Sequence, residues 1–462
     1  MNDLTQGAIG KHLVSMSLPI MIGMLVHTCN FLVELYFVGQ LGSAALAGVS
    51  SVGVLVFFVM ALTQIQNIGI GTLVSHAVGR KDVKQANLLF HQGLFTAFAS
   101  VVVLALIAVS VGPLYFTLIA PNTETLIASL SYFYWFLPAL MCQFPITVIV
   151  ATLRGAGVVK QPMMISIMAV LINMLLSPVL ITGVGLGIPL GLIGAALASS
   201  IAMLFSGLVL CWYFSRRQDY FYFSFIECCP KVDVIRQIVR VGIPAGGELL
   251  LTFVYMSVTY WALRNFDPSA QAGFGVGVRV MQALFLPAMA VTLAGPAIAG
   301  QNFASGHTQR VYNTYRQMAW MTFSLMLVLS AVCFVNAETL TASFSDSKEV
   351  IAVATVFLSF VCFNFIPAGY VLVVSAMFKA LGNVWPAFFS TAIRLCLFSI
   401  PVISLSTQST VHIETIWLIS AGSVYAQAAI SFILIRREFA QKLPKRVEGG
   451  EARTLWPPSH ST

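Results

Sequence analysis

Hydrophobic runs recur along the chain from Leu13 to Ile435, broken by short stretches rich in charge, Gly, Pro or Asn. A hydrocarbon core needs roughly 20 apolar residues per crossing helix. Cutting at the breaks predicts twelve spans, at about 13–38, 46–75, 88–113, 126–152, 163–183, 190–214, 238–263, 270–300, 317–337, 350–377, 385–404 and 414–435. Several contain proline: Pro19, Pro138, Pro145, Pro244, Pro287, Pro296 and Pro367. Inside a membrane such breaks persist because neighbouring helices satisfy the freed carbonyls, so they are expected to be bending points. The pattern predicts an all-α polytopic membrane protein.

Composition agrees. Of 462 residues 58% are apolar and 9% charged, against roughly 25% charged in soluble domains, which excludes an ordinary soluble enzyme. The net charge of +8 comes from basic residues scattered singly or in pairs between runs, so it reports bilayer orientation and not a nucleic-acid partner. Twenty Lys and Arg, from Lys11 to Arg453, fall on the side holding both termini. Arg264 and Lys348 fall on the other, while Arg279 and Arg394 lie within spans. Both termini are therefore expected in the cytoplasm. The eight cysteines form no C-x-x-C pair, so neither disulfides nor a metal site is expected. The start, MNDLTQGAIGKHL, lacks the marks of a cleaved signal, and the first run is expected to persist as a helix.

The chain repeats itself. "VSMSLPIM" at Val14 and "VRVGIPAG" at Val239 place Pro19 on Pro244, an offset of 225. At that offset Val33 falls on Val258, and Ala45, Ala47 and Gly48 fall on Ala270, Ala272 and Gly273. The loop "SHAVGRKD" falls on "GQNFASGH", and "ATLRGAG" from Ala151 falls on "AMFKALG" from Ala376, with Arg154 on Lys379 and Gly157 on Gly382. A unit of six helices enters the membrane twice from the same side. Two lobes are thus predicted, related by a pseudo-two-fold axis along the membrane normal with a cavity between them. The divisions expected are an N-lobe (1–214), a cytoplasmic linker (215–236), a C-lobe (237–436) and a basic tail (437–462).

The stretches "MSLPIMIG" at Met16, "FVGQLGSAALAG", "GQNFASGHTQR", "LRGAG" and "FKALGN" resemble the multidrug and toxic compound extrusion (MATE) family of the multidrug/oligosaccharide-lipid/polysaccharide exporter group. The resemblance runs from about Leu13 to Ile435. It implies a twelve-helix, two-lobe antiporter of the cell inner membrane, exporting organic cations in exchange for H⁺ or Na⁺.

Glu34 and Glu248 are the carboxylates inside apolar spans. A charge at mid-membrane costs at least ~2.5 kcal/mol, which makes both functional candidates. His27, Asn30 and Glu34 share one face of the first helix through i, i+3, i+7 spacing. The family commonly has an acid at the position of Glu34, which implies a proton carrier; the plain alternative is a carboxylate reaching the outer interface. The resemblance also puts Asn173 and Ser177, with Ser199 a looser match, in an N-lobe cation site, Ser177 standing where relatives have an acid. Glu248 is either a cavity residue or an interfacial carboxylate paired with Arg240 or Arg236. Its family partner acid aligns with Asn383, leaving a C-lobe cation site incomplete. Arg279 and Arg394 would meet anionic lipid-linked substrates in a flippase, or pair locally.

Substrate contacts are expected from aromatic, Met and polar groups. The candidates are Tyr132, Tyr134, Trp135 and Gln143 on the fourth span, Gln64 and Asn67 on the second and Gln282 on the eighth. Tyr255, Met256 and Trp261 on the seventh span and Phe363, Asn364 and Tyr370 on the tenth join them. His76 and His91 read as loop or interface residues. No G-x-x-x-x-G-K-[ST], H-E-x-x-H or G-x-S-x-G pattern occurs, so no nucleotide-driven or hydrolytic chemistry is indicated. The expectation is a monomeric, cofactor-free transporter of amphipathic or cationic small molecules, coupled to H⁺ or else Na⁺, with no enzymatic activity. A lipid-linked oligosaccharide flippase of the same group is the alternative.

Overall fold

The polar breaks between apolar runs become turns, and short polar side chains in them start the next helix. Asp82, Asn122 and Asp267 accept hydrogen bonds from the backbone N–H of Gln85, Thr125 and Ser269 at 2.9, 2.8 and 2.9 Å. Each satisfies a first-turn donor that the helix itself leaves unpaired. The bonds from Ser269 also hold the Asp267 carboxyl below the usual range.

The computed structural model of the chain describes residues 3–184, 187–216, 222, 229–405 and 412–443. Residues 217–221 and 223–228 of the expected linker, and 444–462 of the expected tail, lie outside the described residues. In chain order the helices are α1 (Ile9–Gly39), α2 (Ser43–Gly79), α3 (Val83–Ser110), α4 (Gly112–Ile119), α5 (Thr123–Gly155), α6 (Lys160–Thr182) and α7 (Gly191–Ser215). They continue as α8 (Val232–Leu263), α9 (Pro268–Ala304), α10 (Thr308–Val335), α11 (Ala337–Ala342), α12 (Lys348–Val361), α13 (Phe365–Ala380), α14 (Trp385–Leu405) and α15 (Ile413–Lys442). Leaving out the short α4 and α11, and counting α12 with α13 as one, these make twelve crossings long and apolar enough for a membrane.

Two expectations from the pattern need correction. The run 88–113 ends at Ser110, because Gly112 and Pro113 open a separate helix, α4. The helices expected at 46–75 and 270–300 are longer in the structure. At 37 residues each, α2 and α9 reach ~55 Å, and their last turns carry buried polar residues such as Ser75, Gln301 and Asn302, which break the hydrophobic pattern yet pack inside.

The repeat is tighter in structure than in sequence. The first and last residues of α2 and α9 are 225 apart, as are those of α3 and α10, and α5 matches the whole of α12 and α13 in the same way. Even α4 and α11 begin 225 residues apart. The lobes are thus α1–α7 and α8–α15. They meet where α2 packs on α8 and α1 on α9. Gly69 lies against the Ile238 carbonyl and Gly242 against that of Ile65, so closely that a Cβ at either would collide with backbone. The related crossing draws Leu13, Ala290 and Ala294 into one buried cluster.

The tenth span is broken at Cys362–Asn364, a single 3-10 turn. Pro367 has no N–H to give, so the Phe363 carbonyl loses its helical partner. Tyr425 of α15 supplies one at 2.9 Å, and Ser330 of α10 bonds the Cys362 carbonyl at 2.7 Å. The break is therefore held from both sides. Tyr425→Phe is expected to lower the unfolding temperature in detergent slightly, since one hydrogen bond contributes about 0.5–1.5 kcal/mol; an unchanged melting curve would show that water takes over the bond.

Candidate functional site

Seen from α1, the membrane interior holds two separate polar regions, one near each face. Near the face opposite the termini, Glu34 sits five residues before the end of α1. Its Oε1 accepts the Tyr132 hydroxyl at 3.0 Å, and the Tyr132 ring, 4% exposed, stacks on Phe136. The tyrosine is thus held at both its hydroxyl and its ring. On α6 and α7 the Asn173 amide donates to the Ser199 hydroxyl at 3.2 Å. Asn173 Oδ1 and Ser177 Oγ, one turn apart and buried, have no hydrogen-bond partner among the described residues. Two unclaimed oxygens facing the interior suit a hard cation or a water, both of which are bound through oxygen. The structure thus joins Glu34 to Tyr132 and Asn173 to Ser199. Asn30 is half-buried one turn below Glu34, and His27 is exposed a turn lower still.

The expected cleft residues divide into groups. Gln64 accepts the Asn67 amide at 2.6 Å, and Asn67 in turn accepts Arg154 Nη2 at 2.6 Å. Tyr255 bonds Ser420 at 2.7 Å and lies under the Arg394 guanidinium, 4.8 Å from ring centroid to carbon; Met256 packs at the edge of the same apolar cluster. Tyr370 bonds Tyr315 at 2.9 Å. Asn364 is buried beside the helix break, its Oδ1 without a partner among the described residues. Tyr134, Trp135 and Gln282 are exposed, and Gln143 is half-buried. Arg279 is exposed on α9.

Glu248 pairs with neither Arg240 nor Arg236. Its carboxylate meets Lys379 of α13 at 3.3 Å and accepts the Ser375 hydroxyl at 3.1 Å. Asn383 donates to Glu438 at 3.0 Å, and Glu438 pairs with Lys442 at 2.9 Å. Glu438, only 6% exposed, was hidden in sequence among the charges that end the last helix.

A second group escaped sequence reasoning. At the termini face the His76 ring donates from Nε2 to the Ala380 carbonyl at 2.7 Å, and Gln301 Nε2 donates to the Gly155 carbonyl at 2.9 Å. Exchanging the lobes turns one bond into the other, since Gln301 lies 225 positions after His76 and Ala380 225 after Gly155, so each lobe reaches across to the same point of the other. Thr72 adds a bond to the Lys379 carbonyl, and Gln301 Oε1 also accepts the N–H of Leu4, which is 1% exposed. The register of "SHAVGRKD" on "GQNFASGH" aligned His76 with Gln301; what it could not show was that both face the partner lobe. The hydrogen bonds seen between the lobes lie at this face, which is closed.

A family model described as MatE matches residues 19–179 and 244–405, two segments that start 225 positions apart. A FAD transporter of Shewanella oneidensis is 26% identical over 420 residues, covering 88% of this chain and 90% of that one. A probable multidrug resistance protein of Bacillus subtilis, YoeA, is 27% identical over 439 residues, covering 91% and 92%. A solved structure described as an outward-facing multidrug resistance MATE family transporter of the MOP superfamily superimposes with a TM-score of 0.88 at 19% identity, covering 95% of this chain and 98% of that one.

Proposed function

The chain belongs to the MatE family, and from that premise we propose that this multi-pass membrane transporter, which is not an enzyme, is an H⁺-coupled antiporter. It exports amphipathic organic compounds, cations among them, by alternating access, working as a monomer in the cell inner membrane with both termini in the cytoplasm. The observation that carries the reading is Glu34 held by Tyr132 on the side away from the closed face. A carboxyl there takes up and gives up a proton as the lobes rock between 1–214 and 237–436. The free oxygens of Asn173 and Ser177 would equally receive Na⁺, but they bring no second negative charge, and that favours H⁺. With the termini inside the cell, the closed face is cytoplasmic and the cleft opens outward.

The flippase alternative asks for a basic cleft. Arg394 instead spends its charge on the Tyr255 ring within the C-lobe, which favours the antiporter. The name of the Shewanella relative, FAD transporter, supports a substrate range that is not confined to cations. The test is uptake of ethidium into everted vesicles with Na⁺ replaced throughout by choline. Uptake should persist and should collapse when a protonophore is added; a strict need for Na⁺ would assign the coupling to that ion.

A further inference from the structure

The repeat allows one lobe to be used as a reference for the other. In the C-lobe, α8 contributes Glu248 and α13 contributes Ser375 and Lys379, and the three close on one another through an ion pair and two hydrogen-bond contacts. Shifted by 225, they become Gly23 on α1 and Val150 and Arg154 on α5. The cation is kept. The carboxylate that neutralises it is replaced by a hydrogen atom, and the hydroxyl that orients it by an isopropyl group.

That substitution leaves a cavity of about 200 Å³, with Gly23, Val150 and Arg154 all in its wall. His27 and Ser166 are its other polar neighbours; Met24, Val158, Met163 and, from the opposite lobe, Leu293 make it apolar elsewhere. Where Met163 borders the cavity, the C-lobe has Phe388, whose ring packs against Gly247 next to Glu248. Among the described residues the Arg154 guanidinium makes one hydrogen bond, to the neutral Asn67, and no carboxylate lies within ion-pair distance of it. A guanidinium carries five donors. A cation taken out of water is costly unless it is paired, so this arginine holds the larger part of its donor capacity for something the chain does not provide.

We propose that the cavity receives the carboxylate of an amphipathic organic acid, which pairs with Arg154 where Glu248 pairs with Lys379, its hydrocarbon part lying on the Met and Val wall. The assignment of that acid as cargo rests on the export reading above; Leu293 brings the opposite lobe into the cavity wall. The pocket widens the substrate class from cations to acids, with negative charge met at Arg154.

Binding of radiolabelled benzoate to the full-length protein in detergent tests this. Wild type should bind benzoate saturably, hexanoate should displace it, and benzylamine should not. Gly23→Glu supplies the missing carboxylate from within and should weaken binding roughly tenfold or more, as should Arg154→Gln, which removes a charge-assisted pair. Should Gly23→Glu aggregate on size exclusion, Arg154→Gln decides alone. Absence of saturable binding, equal displacement by benzylamine, or undiminished binding in the folded variants overturns the proposal. Ethidium uptake by wild-type vesicles separates the two readings. Uptake without benzoate binding leaves the antiporter standing and removes this inference, whereas Arg154-dependent benzoate binding without uptake upholds the pocket and removes export.

Discussion

Glu34→Gln is expected to bring proton-driven ethidium uptake into everted vesicles down to the level of vesicles without the protein, at every pH tested. Glutamine matches glutamate in size, and its amide oxygen still accepts the Tyr132 hydroxyl, now 3.0 Å from Glu34, so packing against Phe136 is retained. What disappears is the exchangeable proton. A packing defect would instead show as lost protein in the membrane and a lowered unfolding temperature, and neither is expected. Tyr132→Phe is the companion variant. It keeps the ring and removes the donor, and since one hydrogen bond to a charged acceptor is worth about 1.5–3 kcal/mol, it should shift the pH dependence of uptake without abolishing it. Wild-type uptake and pH dependence in Glu34→Gln would remove Glu34 from the coupling step.

Gly242→Val should open the closed face. A side chain at this position meets the backbone carbonyl of Ile65 on α2, and backbone cannot turn aside as a long side chain can. Overfilling a close-packed contact costs about 1–3 kcal/mol, which is ~5- to 150-fold in an equilibrium between two lobe arrangements. Spin labels at Lys84 of α3 and Gln309 of α10, both exposed at this face, would report the change as a second, longer distance in pulsed dipolar spectra. A single, unchanged distance would mean that α2 and α8 absorb the methyl groups without parting.

The spans, the repeat and the two-lobe arrangement were legible because each rests on a periodic signal that local sequence carries: runs of apolar residues for the helices, and a fixed offset for the halves. Ser110 and Gly112 show the limit of that signal, since an apolar run continues through a helix end that Gly112 and Pro113 mark and hydropathy does not. At the site, Glu34 was legible as an acid in apolar surroundings, but its partner was not, because Tyr132 lies 98 residues away. For Glu248 the sequence left a cavity role open beside a pairing with Arg236 or Arg240, and could not offer Lys379 for a related reason. Arg236 and Arg240 are near in sequence, whereas Lys379 comes from the far end of α13. His76 looked bland because a hydrogen bond to a backbone carbonyl leaves no trace in the identity of the residue that accepts it.

The start of α8 shows how the lobes are free to move. The Gln92 side chain of α3 holds the Cys229 carbonyl at 2.7 Å and the Lys231 N–H at 2.8 Å, just ahead of Val232 where α8 begins. The residues that lead into α8, Cys229 to Lys231, are therefore moored to the N-lobe. One corner of the C-lobe is pinned, and in the proposed alternating access parting the closed face would amount to swinging about that corner. Displacement should then be small beside α3 and greatest at the far edge, where Arg310 of α10 grips the Gly7 carbonyl at 3.0 Å. The segment leading into α1 thus ties the lobes together at that edge, with Leu4 also held by Asn302 and Gln301.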